Sequence, residues 1–348
     1  MSQNSRIFYA TQGLGFAEHG VVASGGAPSG FRTAHGVQSV GVNTTFNLEQ
    51  VFELGQLELY ENIEGIPDIE VTAQKVLDGY PLLYHLATPG ASAASLVGRS
   101  NERCFVALNI YPDTFEAASG TPLTSCGMSG MYVSALTYTL NMEGNSTEDV
   151  TLVGNDKVWS TGSFAFLPNF DGTDEPLALA ASGGVQRRED VLMGSGTSGS
   201  LWPTEIPGID ASGWNLQASG ETSYAAHIQT VTISTDLGRE ELFELGRRGP
   251  YHRFVSFPVE VTCAIETTTS EGDMIDAEAD PAGGTNLTNQ QIKIFMREGA
   301  VFDLGSKNKL ASITYGGGDA GGGVATVTYQ FSEFNRLTVN HPQDPAGL

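Results

Sequence analysis

The sequence predicts a mainly β protein (α+β class) built from two tandem β-sandwich or partial-barrel domains, each with a short helix and a long hairpin. Three observations predict it: a glycine-rich composition, a repeat that runs through both halves, and a strand–turn–strand pattern closing each half. The chain of 348 residues holds 43 glycines against 7 methionines, and 40% of it is hydrophobic. That is enough apolar mass for packed cores and argues against disorder throughout. Abundant Ser and Thr beside so many glycines favour strands and turns over a helical bundle. The length suits two domains of ordinary size.

The repeat organises the chain. Residues 37–44, Val-Gln-Ser-Val-Gly-Val-Asn-Thr, are echoed by residues 228–235, Ile-Gln-Thr-Val-Thr-Ile-Ser-Thr, 191 positions later. The same offset carries Glu49 onto Glu240, and Phe52, Glu53, Leu54 and Gly55 onto Phe243, Glu244, Leu245 and Gly246. It holds at Tyr60 and Tyr251 and at Pro67 and Pro258. After a one-residue slip, Glu70-Val71-Thr72 matches Glu260-Val261-Thr262. Gly55 and Gly246 fit a positive-φ turn. Phe52 and Phe243 suit either core packing or a subunit interface.

The halves end alike. Leu136-Thr137-Tyr138 resembles Ile313-Thr314-Tyr315, and each is followed by a glycine-bearing turn (143–146; 316–323) and a returning β-rich run (150–153; 324–329). That order predicts a hairpin in each half. Residues 69–76 read as a strand, and residues 81–86 as a short helix opening on Pro81. Cys104–Tyr111 reads as a buried strand whose counterpart is Gln291–Met296. The resulting organisation is an N-terminal arm over 1–36, a first domain over 37–165, an ordered insertion over 166–227 and a second domain over 228–348. Trp202, Ile206, Ile209 and Trp214 make the insertion too apolar for a free tether.

Charge narrows the function. Forty acidic against 17 basic residues give a formal net charge of -23, which excludes gripping nucleic acid by phosphate neutralisation. The acidity fits solubility, a halophilic source, or a surface that stays near DNA without holding it. Cys104, Cys126 and Cys263 have no CxxC spacing and read as thiols in a reducing compartment. Without an apolar run of about 18 residues or a signal peptide, the chain is expected to be made in cytoplasm, with no membrane partner.

No catalytic or cofactor motif emerges, and the chain reads as a non-enzyme with no cofactor. His19, His35, His85, His227, His252 and His341 lack ligand spacing. Residues 196–200 are not a GxSxG elbow. Residues 169–174 fail as a calcium loop, because Leu167 and Ala178 stand where ligands are needed. No P-loop or dinucleotide fingerprint occurs. The repeat motif residues Phe52, Glu53, Leu54, Gly55, Phe243, Glu244, Leu245 and Gly246 remain as the candidate assembly site.

A resemblance is carried by residues 51–61 (Val-Phe-Glu-Leu-Gly-Gln-Leu-Glu-Leu-Tyr-Glu), residues 76–83 (Val-Leu-Asp-Gly-Tyr-Pro-Leu-Leu) and residues 147–157. These resemble tail tube proteins of tailed phages, over most of 37–165 and, through the repeat, 228–341. The second copy lacks the Asp78-Gly79-Tyr80 run, and most tube proteins carry one domain. What the resemblance implies is a duplicated tube domain: three chains give six quasi-equivalent positions in a homotrimeric ring, and stacked rings close a continuous β-barrel around a genome channel in the virion tail. The implied partners are the chain itself, neighbouring tail proteins such as sheath, terminator or baseplate, and genomic DNA passing without specific binding. Three other readings compete: a hub ring of the tail or baseplate, a carbohydrate-binding β module using Trp159, Trp202 and Trp214, and a hydrolase with two β-domains.

Overall fold

A computed structural model describes residues 7, 9–20, 30–112, 121–161, 164, 184–193, 199–203, 206, 226–269, 272–273, 275, 287–318 and 323–346. The first half contains strands β1 (Gln12–Glu18), β2 (Arg32–Thr33), β3 (Val37–Thr45), β4 (Leu48–Phe52), β5 (Leu59–Glu64) and β6 (Asp68–Val76). Helices α1 (Leu83–Ala87) and α2 (Leu96–Arg99) follow, then β7 (Cys104–Ile110), β8 (Thr124–Asn141), β9 (Thr147–Gly154) and β10 (Val158–Ser160). The second half contains β11 (Ala226–Asp236), β12 (Arg239–Leu242), β13 (His252–Val255), β14 (Glu260–Thr269), β15 (Gln290–Phe295), β16 (Val301–Gly316), β17 (Thr326–Phe334) and β18 (Thr338–Asn340). The protein is mainly β, as its composition predicts.

Both halves share one topology. In the first, β3 pairs with β6, β6 with β9, β9 with β8, and β8 with β7 and β10. In the second, β11 pairs with β14, β14 with β17, β17 with β16, and β16 with β15 and β18. Each half also carries a separate two-stranded hairpin, β4–β5 or β12–β13. The likeness reaches single residues. Gln38 and Gln229 each sit at a register shift, and each donates its side-chain amide to the carbonyl two residues back.

The predicted long hairpins are β8–β9 and β16–β17, and Cys104–Ile110 and Gln290–Phe295 are equivalent strands. One detail of the repeat is corrected. Val37 pairs with Lys75, whereas Ile228, its partner in the repeat, pairs with Thr267. The second copy therefore gains a residue before β14, and the Glu-Val-Thr match lies two positions out of structural register. A two-residue error keeps the same face outward, so alternation alone does not reveal it.

The helix prediction shifts as well. α1 starts at Leu83, and Leu82 is the extended N-cap, so Pro81 stands outside the helix. The amides of Leu83 and Tyr84 instead donate to the buried Glu148 carboxylate of β9 at 2.6 and 3.1 Å, which anchors the helix start on the sheet. The second half shows no helix among the described residues, and residues 276–286 lie outside them.

Residues 12–18 pair along the whole of β7 as β1. Of the apolar residues in the 166–227 segment, Trp202 and Ile206 are buried; Ile209 and Trp214 fall outside the described residues, as do 169–174, 194–198 and 319–322. Cys104, Cys126 and Cys263 are free and buried. One apolar core runs through both halves, joining Val71, Leu152 and Val133 to Val261, Ile294 and Phe331.

Candidate assembly interface

The two halves meet edge to edge. β11 pairs antiparallel with the upper part of β8, from Thr230 opposite Asn141 to Asp236 opposite Ala135. The Leu237 amide then donates to the Ser134 carbonyl at 2.7 Å, and Leu237 is 2% exposed. The result is an eight-stranded sheet, β3-β6-β9-β8-β11-β14-β17-β16. It does not close on itself within the chain. β3 forms one edge, and β16 over Ser312–Gly316 forms the other, each paired on one side only among the described residues; before it, the Leu310 amide donates to the Leu287 carbonyl at 2.8 Å. Unpaired strand edges of this length are sites of association.

One face of this sheet is packed and the other is open. On the packed face, Ile69, Val71 and Ala73 of β6 alternate with exposed Asp68, Glu70 and Thr72. On the open face a row of paired residues crosses all eight strands: Ser39, Gln74, Asp149, Thr137, Ser234, Thr262, Ser332 and Lys309. Its members are hydrogen-bonded, Gln74 to Asp149 at 2.9 Å and Ser234 with Thr262 at 2.8 Å. A second row holds Asn141, Thr230, Glu266, Thr328 and Thr314. The face is a Thr/Ser surface carrying Glu70, Asp149 and Glu266, with Lys309 at its edge.

The repeat motif lies beyond the sheet, at the turns of the two small hairpins. Phe52 and Leu54 are 64% and 103% exposed, and Phe243 and Leu245 are 56% and 105% exposed. Core packing is therefore ruled out for both phenylalanines in the isolated chain. Gly55 and Gly246 hold φ of +98° and +84°, the left-handed backbone expected of them. Glu53 accepts from Gln56, and Glu244 pairs with Arg247 one turn on.

The two hairpins differ in what they touch. β12–β13 leans on the first half: Arg253 pairs with Asp68 at 3.0 Å, the Tyr132 hydroxyl meets His252 Nδ1 at 3.2 Å, and Arg239 Nε donates to the Val133 carbonyl at 2.8 Å. Burial lowers the Arg239 pKa to about 10. β4–β5 is exposed by comparison, and an open groove of about 390 Å³ at its base is lined by Phe46, Leu48, Glu49 and Ile63.

A buried polar seam ties the second half's tail to the first half's helices. Arg99 pairs with Asp344 and donates to Thr88 Oγ1 at 2.8 Å, while His85 Nε2 lies 3.1 Å from the Val339 carbonyl. Burial, and then the Arg99 charge, lowers His85 to about 3. Burial lowers His341 to about 3, with His85 adding to the effect. Lys75 pairs with Asp78. Burial raises Glu148 to about 7 against the pull of its amide donors and Lys75. Glu298 is raised to about 9, by burial first and then by the Asp78 charge. Sequence reasoning missed this seam, because its members come from distant parts of the chain.

Among the described residues no cluster of three His, Cys, Asp or Glu is placed to hold a metal, and no helix is long and apolar enough to cross a membrane. Trp159 is half-exposed and Trp202 is buried, so these two do not form a shared stacking platform.

No protein-family model matches the sequence, and no curated protein matches it. Solved structures to which the chain is similar include a protein of the anti-feeding prophage baseplate (11% identity, 47% of this chain and 100% of that one, TM-score 0.33). A second comes from the extended sheath–tube complex of the PVC extracellular contractile injection system (9% identity, 45% and 93%, TM-score 0.33). A third is from the tube-terminating cap of the anti-feeding prophage (10% identity, 46% and 95%, TM-score 0.32).

Proposed function

We propose that the chain is a structural subunit of a phage tail tube, in which three copies close into a pseudo-hexameric ring and rings stack around a channel for genome delivery. The observation that carries the reading is the open run of eight strands, built from two copies of one four-stranded unit, in which β3 and the Ser312–Gly316 stretch of β16 are paired on one side only among the described residues. A sheet of this kind is completed by neighbours, and closure into a ring removes the edges. The sequence resemblance to tail tube proteins supplies the biological setting.

The open face then lines the channel. Glu70, Asp149 and Glu266 stand on it among hydroxyl side chains, so duplex DNA meets like charge and no array of cations. Screening confines that repulsion to about 8 Å in physiological salt, so only carboxylates on this face are felt. In this role the chain carries out no catalytic step and uses no cofactor. Its partners are further copies of itself and, at the ends of the tube, other tail proteins such as sheath, terminator or baseplate. Its place is the virion tail, assembled in the host cytoplasm.

Negative-stain electron microscopy of the purified protein tests the reading. Extended hollow rods are expected. Assembly that stops at single rings would identify a hub ring, and a particle that stays monomeric at high concentration would refute assembly altogether.

A further inference from the structure

The junction inside the chain offers a template for a junction between copies. Because both halves share a topology, β11 is to β8 as β3 is to β16, and the first of these pairs is visible. The residues at the two free edges show what is missing. Leu237 is 2% exposed in the internal junction, and its equivalent Phe46 is 70% exposed. Tyr138 is fully buried there, and its equivalent Tyr315 is 52% exposed. Val231 and Ile233 are buried, whereas their equivalents Val40 and Val42 are only partly so. Both edges thus carry apolar side chains whose counterparts are covered by a repeat unit, and the groove at Phe46 is open.

The β8 bulge fixes the correspondence. Ser134 is the extra residue in β8 opposite β9, and Ala311 is the extra residue in β16 opposite β17. Ser134 therefore matches Ala311, and Thr137 matches Thr314.

We infer that β3 of one chain pairs antiparallel with β16 of a second copy, with Gly41 opposite Gly316, Asn43 opposite Thr314 and Thr45 opposite Ser312, and with the Phe46 amide donating to the Ala311 carbonyl. This rests on the reading of the chain as a self-assembling ring subunit and adds the register. The contact is heterologous, joining unlike edges, so repeating it generates a closed ring or an open helix. The same mapping sets Glu61 over Lys309, where the internal junction sets His252 on Tyr132. Both residues are exposed in the single chain, and their charges are opposite.

Engineered disulfides test the register. Residues directly opposite in an antiparallel pair have Cα atoms about 4.5–5.5 Å apart, within the span a disulfide bridges, and the native cysteines are buried. The variant Asn43→Cys/Thr314→Cys is expected to give covalent oligomers on a non-reducing gel after mild oxidation of the assembled protein. The equivalent internal pair, Ser234→Cys/Thr137→Cys, is expected to cross-link within one chain, which verifies that this position accepts a disulfide. The out-of-register variant Asn43→Cys/Ser312→Cys is expected to stay unlinked.

If the wild-type protein forms rings or rods while the in-register variant stays unlinked or the shifted one links in preference, the register is wrong and the ring reading survives. If the wild-type protein never assembles, both fall. As an independent arm, Glu61→Lys is expected to abolish assembly and Glu61→Lys/Lys309→Glu to restore it; unchanged assembly by the single variant would contradict the pairing of these two residues.

Discussion

Glu298 is buried, and neither carboxylate oxygen has a hydrogen-bond partner among the described residues. Its pKa of about 9, with that of Glu148 near 7, means that both bind protons more tightly folded than unfolded. Their contribution to stability is complete below the ordinary carboxylate range near pH 4.5 and is lost as pH rises through about 7 and then about 9. The buried histidines act oppositely. His85 and His341, lowered to about 3, contribute stability above pH 6.5 that is lost as pH falls towards 3. Thermal melts across pH 5–9 should show declining stability on the alkaline side. Glu298→Gln should flatten that limb by a few degrees; an unchanged slope would show that Glu298 does not titrate there. At the hairpin turns, Leu54→Asp/Leu245→Asp should leave the single chain within about 0.5 kcal/mol of wild type, as fully exposed positions do, and should reduce ring stacking seen by electron microscopy. Gly55 and Gly246 were legible from the sequence, since a turn is a local property. The buried carboxylates were not, because nothing near Glu298 in sequence foretells Asp78 or Glu148 in space.

Among the elements, β4–β5 and β12–β13 are one motif in two settings, and Phe46 and Leu237 expose the difference. Leu237→Ala should cost the single chain about 2–5 kcal/mol, the usual range for emptying a buried leucine site. Phe46→Ala should barely change the chemical-denaturation midpoint of the single chain yet weaken assembly, which sedimentation over a concentration series would reveal. Equal losses in the two variants would mean that the hairpins are not in unlike settings. The strands over 69–76, 104–111 and 291–296 and both long hairpins could be read from β-rich runs and turn residues, because those signals lie within a few residues of one another, whereas β1 and the hairpins β4–β5 and β12–β13 were not foreseen. The start of α1 could not, since it is set by Glu148 on β9. The slip before β14 escaped for another reason: a chance Glu-Val-Thr match mimicked the pattern two residues away, on the same face of the strand.

For the molecule as a whole, the duplication foreseen in residues 37–72 and 228–262 becomes a continuous sheet only because β11 pairs with β8, a contact between segments about a hundred residues apart that no local pattern announces. The identity of the open face was equally hidden, since the excess of acids says how many carboxylates there are and not that Glu70, Asp149 and Glu266 share one surface. Strand edges completed by neighbours are the centre of the account, and amide hydrogen exchange of residues 39–45 and 312–316 measures them directly. The account predicts rapid exchange at these outer-edge amides in dilute single chains and strong protection after assembly, while β8 and β11 are protected in both. Edge amides that exchange equally fast in the assembled particle would contradict it.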